Sequence, residues 1–253
     1  EVFSFDPARA NEVLDEGIRV AKAYRNAGLK ATIVPHAPYS VSEQLFDGIR
    51  KQQQPFPGPL SIHNQETESE DEMFSSGTGE LVETFKGFGI DFSNWNPQKK
   101  SSLDYAFAQL PADQNVMLVH NTCSTSDEMK HVESLRNNLY WCACPSANLY
   151  IENRIPNLPM WLENNAKVCV GTDSLASNHQ LSIFEELKLI QHHHPQLPLS
   201  TLLQMATLNG AKALNMDNEK GSFQKGKLPG VLWLKNVDLS SESLASASVQ
   251  RII

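Results

Sequence analysis

The sequence predicts an α/β protein in which helices alternate with buried, parallel strands. Its strand candidates are short continuous apolar runs rather than alternating patterns, which is typical of strands covered on both faces. Helix and strand patterns recur as five repeats before about residue 220. Four of the runs end in a histidine or an aspartate: 33–36, 60–63, 116–120 and 168–173. Because the carboxyl ends of barrel strands converge on one face, these patterns favour a (β/α)8 barrel with a site at that face.

The individual elements have recognisable boundaries. The first helix is predicted over 6–27, with Asp6 as its N-cap, Pro7 at its first position and Gly28 as its stop. Further helices are predicted over 42–52, 101–110, 126–136, 160–165, 181–192 and 200–214. Strands are predicted over 31–35, 60–63, 116–120, 139–143 and 167–171. A closed barrel has eight strands, so we expect the missing strands to precede Glu1 and the chain to be a piece of a longer protein.

The last segment has a different character. Gly221, Gly226 and Gly230 punctuate short β-like pieces over 231–235 and 249–253. These pieces predict part of a small β-structure that pairs with strands from elsewhere. We therefore predict two domains, a partial barrel over 1–222 and part of a small β-domain over 223–253.

Composition excludes several classes of protein. A net charge of −8 disfavours nonspecific binding to nucleic acid, which needs clustered Lys and Arg. No apolar run approaches the roughly 20 residues that span a bilayer, and no basic-then-apolar signal segment opens the chain. The four cysteines form no C-x-x-C pair, so we expect a reduced, cytoplasmic protein. A G-x-S-x-G elbow, a G-x-G-x-x-G fingerprint and a P-loop are all absent.

His63 and Glu66 form the most suggestive local motif. The histidine closes a strand and can bind a metal, and the carboxylate three residues later can shuttle protons. This spacing is common by itself. The acidic residues could also be a solvated helix start, where negative charge is favourable: Glu66, Glu68, Glu70, Asp71 and Glu72.

Three further strand ends carry residues that can do chemistry. Asp173 emerges from a buried strand, and a buried carboxylate needs a cation or a base as its partner. His120 closes another strand, and His36 lies between Pro35 and Pro38, whose rigid geometry suits a binding or a structural residue equally. Each has a structural interpretation when taken singly. Together, three imidazoles and one carboxylate at the same end of different strands predict a metal-dependent hydrolytic site.

Longer motifs extend this set of residues. They are Pro35-His36-Ala37-Pro38-Tyr39-Ser40, Ile62-His63-x-x-Glu66-Thr67, Leu118-Val119-His120, Cys144-Pro145-Ser146-Ala147-Asn148, Gly171-Thr172-Asp173-Ser174-x-x-Ser177-Asn178, Ala206-Thr207-Leu208-Asn209-Gly210-Ala211-Lys212-Ala213-Leu214 and Gly221-Ser222-x-x-Lys225-Gly226-Lys227. The chain thereby resembles the amidohydrolase superfamily. Within it, the chain is most similar to the chlorohydrolase and deaminase branch, which includes cytosine, guanine and adenosylhomocysteine/methylthioadenosine deaminases.

The resemblance implies a (β/α)8 barrel, here without its first strands, and part of a small flanking β-sandwich. It implies that His63 and Asp173 bind the metal and that Asp173 accepts a proton from the attacking water. It implies that Glu66 relays protons to the substrate ring and the leaving group, and that His120 orients or polarises the reacting carbon. The residues that it implies for substrate binding are His36, Asn148, Ser177 and Asn178.

The activity implied is hydrolysis of a C–N bond, with zinc, iron or another divalent metal as cofactor. We expect deamination of an aminated purine- or pyrimidine-like ring. The alternatives are hydrolysis of another cyclic amide, a dipeptide or a chlorinated ring, or a metal-free barrel relative that is not an enzyme.

One departure from the family pattern limits these expectations. The family opens its barrel with His-x-His, and here that pattern occurs only within His192–His194, which lies past Asp173. A catalytic zinc normally has three protein ligands, so we expect weak metal binding and little activity of this chain alone. Open strand edges invite pairing. The expected partners are therefore a small-molecule substrate and either a second copy of the chain or a companion N-terminal fragment, with no nucleic acid and no membrane.

Overall fold

The computed structural model describes residues 1–90, 92 and 99–252. They form two compact units, Glu1–Asn138 and Leu139–Ile253. These units are defined by how compactly their residues pack and not by fold. The predicted domain boundary between residues 222 and 223 therefore stays a prediction. No helix in the described part of the chain is both long and apolar enough to cross a bilayer.

Helices and parallel strands alternate along both units. The helices of the first unit are α1 Ala10–Asn26, α2 Glu43–Gln52, α3 Glu68–Ser76, α4 Glu80–Gly87, α5 Ser102–Gln109 and α6 Ser126–Leu135. Those of the second are α7 Pro145–Glu152, α8 Leu158–Glu163, α9 Ile183–His193, α10 Leu199–Gln204 and α11 Gly210–Ala213, with a π-helical turn, Met205–Asn209, between the last two. The strands are β1 Leu60–Asn64, β2 Val116–His120, β3 Leu139–Ala143, β4 Val168–Val170, β5 Leu232–Lys235 and β6 Ser248–Arg251.

Strands β1 and β2 form the centre of the first unit. They are parallel, with Leu60 opposite Val116 and Asn64 opposite His120. Their apolar side chains are almost fully buried against those of α2, α3, α5 and α6: Leu60, Ile62, Val116, Leu118, Leu45, Phe46, Met73, Phe74, Leu103 and Met129. Burial of one such side chain contributes about 1.5–3 kcal/mol. This packing fixes the strands, so that both end at the same edge of the sheet.

The segment 31–35 is extended but is not a strand, so that prediction is wrong. Val2 donates from its backbone nitrogen to Val34 O at 2.9 Å and accepts from His36 N at 3.1 Å, which gives one isolated bridge. The backbone of His36 is nevertheless held on its other side as well, because His63 N donates to His36 O at 2.9 Å.

Polar side chains begin the helices largely where the sequence predicts them. Asp6 accepts from Ala8 N at 2.9 Å and starts a short 3₁₀ turn that leads into α1. Ser42 and Ser101 lie one residue before α2 and α5 and accept from backbone amides of the first turns. Such N-caps are typically worth about 1 kcal/mol each.

The second unit has its own parallel pair, β3 and β4, with Trp141 opposite Val168. Trp141 and Trp161 are both fully buried, and their ring centroids lie 5.6 Å apart. Further along the chain, β5 and β6 form an antiparallel pair with Leu232 opposite Arg251. The predicted β-like pieces at the C-terminal end are confirmed, and here they pair with each other.

Candidate active site

His63 is held in one tautomer by the main chain. Its Nδ1 lies 2.8 Å from the backbone oxygen of His36. A carbonyl oxygen only accepts, so Nδ1 carries a proton, and in the neutral imidazole Nε2 then carries the lone pair. A histidine oriented in this way by a backbone carbonyl is in the form in which imidazole binds a metal.

His120 and Glu66 lie beside His63 at the ends of β1 and β2. The His63 and His120 rings are stacked with their centroids 5.1 Å apart. Nε2 of the fully buried His120 lies 3.4 Å from Oε1 of Glu66. The structure thus brings together an imidazole suited to metal binding, a second imidazole and a carboxylate that can move a proton.

His36 lies on the other side of His63. The two rings have centroids 4.9 Å apart, and His36 Nδ1 is 2.7 Å from Ser40 Oγ. Glu1, His36 and His63 each offer one candidate ligand atom, and these atoms lie within 4.8 Å of one another. His36 therefore stands next to the candidate ligand, and its role towards a substrate stays a prediction.

The backbone around these side chains is unusual. Gln65, His120, Asn121 and Asp173 have φ values of +44°, +73°, +47° and +55°. These are left-handed conformations, which non-glycine residues adopt uncommonly and which cost free energy unless the surroundings hold them.

Asp173 follows β4 in the second unit. Its Oδ2 accepts a hydrogen bond from Ser177 Oγ at 2.6 Å. A Cβ on residue 171 would lie 2.9 Å from Cys142 Sγ and 3.0 Å from Cys144 Sγ, so any larger residue at this position, two before the aspartate, would require the buried thiols to shift. This packing fixes the approach of the chain to Asp173.

Asn178 and Glu186 order the loop after Asp173. The Asn178 side-chain nitrogen donates to Thr172 O at 2.7 Å and to Glu186 Oε1 at 2.8 Å. The other oxygen of the buried Glu186 accepts from Ser146 N at 2.9 Å. Asn148 is fully buried on α7. The side-chain amide of Asn178 is thus engaged within the protein, while its role towards a substrate stays a prediction.

The cysteines behave as buried apolar residues rather than as nucleophiles. Cys142, Cys144 and Cys169 are buried free thiols. The hydrogen bond with Cys142, together with burial, raises the pKa of the Cys144 thiol well above its ordinary range. A thiol in this state is a poor nucleophile.

The predicted site residues divide between the two units. His36, His63, Glu66 and His120 lie in the first and are close neighbours there. Asn148, Asp173, Ser177 and Asn178 lie in the second, where Ser177 contacts Asp173. The donor set of imidazole nitrogen and carboxylate oxygen suits zinc or iron, and the tautomer of His63 fits it.

One residue of the site is absent from the sequence-based predictions. Glu70 is fully buried and accepts hydrogen bonds from the backbone of Gln65 and Glu66. The interpretation of the acidic run as a solvated helix start holds for the exposed Glu68 and Glu72 but is wrong for Glu70. The available signal was its position in the first turn of α3, from which a carboxylate can reach back to preceding amides.

Known proteins resemble this chain over most of its length. The adenosine deaminase of Helicobacter pylori is 30% identical over 193 residues, which make up 75% of this chain and 46% of that protein. The chain spans about half the length of the relatives it matches.

Two crystal structures have a similar fold. Helicobacter pylori aminofutalosine deaminase in complex with methylthio-coformycin matches with a TM-score of 0.77 and 24% identity, over 91% of this chain and 56% of that one. An adenosine deaminase from Xanthomonas campestris with bound zinc matches with a TM-score of 0.62 and 24% identity, over 94% of this chain and 49% of that one. These likenesses confirm the predicted α/β fold of the (β/α) barrel type.

The sequence itself decides the family. The model of the amidohydrolase family matches residues 3–243, which is nearly the whole chain. The motifs at 35–40, 62–67 and 171–178 lie inside this match. The chain belongs to the amidohydrolase family.

Proposed function

We propose that the protein is a metal-dependent deaminase that hydrolyses the exocyclic C–N bond of an aminated purine- or pyrimidine-like ring. The observation that carries the proposal is the cluster of His63, His120 and Glu66 at the ends of β1 and β2. Family membership supports it, as do the names of the relatives, which are deaminases of adenosine or of aminofutalosine. Aminopurine nucleosides are therefore the first substrate class to test.

We further propose His63 and Asp173 as ligands of a divalent metal, with zinc first, since zinc is present in the related Xanthomonas structure. When bound, such a cation supplies Lewis acidity and lowers the pKa of water, so that hydroxide is available near neutral pH. The chain's contribution is to present His63 Nε2 as the donor atom, which the hydrogen bond to the His36 carbonyl enforces.

The remaining residues move protons and hold the ring. In this proposal Asp173 accepts the proton of the attacking water while Ser177 Oγ donates to its other oxygen. Glu66 delivers protons to the ring nitrogen and to the departing amine, and His120, 3.4 Å from it, orients the reacting carbon. We propose His36, Asn148, Ser177 and Asn178 as the lining of the substrate site.

Hydrolysis of a substrate panel by the full-length protein tests the function, with ammonia measured for the aminated rings and ring opening, free amino acids or chloride measured for the other compounds. The panel contains adenosine, 5′-deoxyadenosine, adenine, guanine and cytosine, together with a cyclic amide, a dipeptide and a chlorinated triazine. Release from an aminated ring alone supports the proposal. Turnover only of the cyclic amide, the dipeptide or the triazine would replace it with another hydrolysis, and no turnover of any compound by the zinc-loaded protein would contradict an enzymatic role.

Two variants separate metal binding from proton transfer. Asp173→Asn and Glu66→Gln should each abolish turnover in the full-length protein, because each removes a proton acceptor or donor. Only Asp173→Asn should also lower the metal content, measured by mass spectrometry after buffer exchange. Glu72→Gln, a change of an exposed carboxylate on α3, is the control. Wild-type rates in both site variants would refute the assigned roles.

A further inference from the structure

We infer that Glu70 is a positioning residue that fixes the backbone of Glu66, and with it the carboxylate that transfers protons. The inference rests on the proposed function for its kinetic consequence. Among the described hydrogen bonds of this buried carboxylate, none joins it to His63 or Asp173, the proposed metal ligands.

Both oxygens of Glu70 accept from consecutive peptide groups. Oε1 accepts from Gln65 N at 2.9 Å, and Oε2 accepts from Glu66 N at 3.2 Å. Glu70 has no exposed surface. Hydrogen bonds from amides to a buried carboxylate are among the stronger ones in proteins, so this single side chain fixes two successive backbone positions immediately after β1.

The backbone at this point needs such a clamp. Gln65 has φ of +44°, a conformation that ordinary residues leave unless the surroundings hold them there. The side-chain nitrogen of Gln65 donates to Asp71 Oδ2 and to Glu128 Oε1, both at 3.0 Å. Its backbone nitrogen is held by Glu70. The turn that carries Glu66 is thus tied to α3 and to α6.

Glu70 is itself fixed by two polar side chains. Ser102 Oγ at the start of α5 donates to Oε1. Asn64, the last residue of β1, donates from its side-chain nitrogen to Ser102 Oγ at 2.9 Å. The carboxylate therefore connects the end of β1 to α3 and α5 and leaves little room for the loop to shift.

Ordinary helix capping does not explain this arrangement. Thr67 is the N-cap of α3, and its Oγ1 accepts from Glu70 N at 3.3 Å. In a capping box the carboxylate at this position would return to the amide of the N-cap residue itself. Here it reaches past Thr67 to the two preceding residues, so its hydrogen bonds serve the loop of Glu66.

Small displacements of a proton-transfer group matter for the rate. Glu66 Oε1 lies 3.4 Å from His120 Nε2, and a misplacement of about 1 Å in such a site can lower turnover about 10²-fold. Loss of the Glu70 clamp should act on this distance. It should leave the orientation of His63 intact, because the acceptor for His63 is the His36 backbone.

Glu70→Gln in the full-length protein is the sharpest test, with rates measured at a pH well above 7, where the wild-type carboxylate is ionised. The glutamine side chain keeps one acceptor oxygen for Gln65 N. Its NH₂ group would face the N–H of Glu66, and since both groups are donors, that hydrogen bond is lost. We expect kcat to fall about 10²-fold, with KM and metal content within about twofold of wild type. Hydrogen exchange should become faster at the Gln65 and Glu66 amides and stay unchanged in β2. Glu72→Gln is the matched control, since it removes the same charge from the exposed face of the same helix.

Three outcomes decide the inference. Glu70→Asp keeps two acceptor oxygens, so recovery of part of the lost kcat in that variant supports positioning. Unchanged kcat with unchanged exchange at Gln65 and Glu66 overturns it. Faster exchange throughout the first unit together with loss of metal also overturns it, because that pattern is general destabilisation. If the wild-type protein deaminates nothing, the proposed function fails while the exchange measurement still decides the role of Glu70.

Discussion

Burial gives Glu70 an ionisation behaviour that can be measured apart from any activity. Desolvation raises its pKa to about 7, from 4.5 for a solvated glutamate, although hydrogen bonds from Ser102 and Gln65 oppose the rise. The folded state therefore binds a proton at Glu70 more tightly than the unfolded state does. The contribution of Glu70 to stability is fully present below pH 4.5 and is lost as the pH rises through about 7.

The first prediction at the residue scale follows from this shift. As the pH rises from 4.5 to about 7, wild type should lose about 3 kcal/mol of unfolding free energy relative to Glu70→Gln, because only the wild-type side chain titrates. Urea denaturation at a series of pH values measures it. Glu72→Gln should show no comparable trend. A wild-type-minus-variant difference that is flat across this range would mean that Glu70 titrates normally.

The strand-end positions of two candidate site residues were predictable, but the environments of the buried residues around them were not. The strand-end positions of His63 and His120 follow from apolar runs that terminate in a polar residue, a pattern visible in the sequence. The burial of Glu70 is not visible there, because glutamate is usually exposed and its partners are backbone amides that any sequence supplies. The bond from His63 to the His36 carbonyl depends on tertiary structure in the same way.

At the scale of elements, helix α9 contributes to the candidate site through one buried carboxylate. The Glu186 carboxylate accepts one hydrogen bond from Ser146 N at the start of α7. It accepts a second from the side-chain nitrogen of Asn178, in the loop after Asp173. Ser182 caps α9 by accepting from Glu185 N at 3.3 Å. The helix is therefore anchored at the turn that presents Glu186, and the loop depends on that anchor.

Glu186→Ala should lower the free energy of unfolding by about 2 kcal/mol, because two half-buried donors lose an acceptor, each at the lower end of about 1–3 kcal/mol. Urea denaturation checks this. Glu185→Ala is the control: Glu185 pairs with Lys188 at 3.2 Å near the surface, and such a pair is worth about 0–1 kcal/mol. Equal losses in the two variants would show that the bonds of Glu186 carry no special weight.

Helices and strands were predicted most accurately where their sequences are rich in apolar residues. Strands β2 and β3 have the predicted bounds, since each is a continuous run of strand-forming residues between polar segments. Helix α3 was only suggested as a helix start, because Met73 and Phe74 are its only large apolar residues and give no clear period. The segment 31–35 has the composition of a strand, but its neighbour supplies only isolated bridges. Whether such a segment forms a strand depends on the chain segment beside it, and the local sequence carries no information about that neighbour.

On the scale of the whole molecule, charge separates a small-molecule enzyme from a nucleic-acid binder. The chain carries a net charge of −8 and has a pI near 5.5. At neutral pH it repels phosphate backbones, whose binding requires clusters of Lys and Arg. We therefore predict that the protein does not bind nucleic acid, and chromatography and DNA binding can test this.

The protein should bind an anion exchanger at neutral pH, pass through heparin resin and leave the mobility of duplex DNA unchanged. A basic protein of similar size serves as the positive control on heparin and DNA. Retention on heparin at moderate salt would contradict the prediction, because it would reveal a basic surface that the net charge conceals.

The hydrogen bond between His63 and residue 36 has a consequence for substitutions at position 36. Its acceptor is the main-chain oxygen of His36, at 2.8 Å from Nδ1, and every amino acid supplies that atom. Mutation at position 36 can therefore exchange the side chain beside the candidate ligand without altering the tautomer of that ligand. Under the proposed roles, a change of side chain at position 36 would leave the donor nitrogen of His63 in place, because the main chain of residue 36 orients that ring.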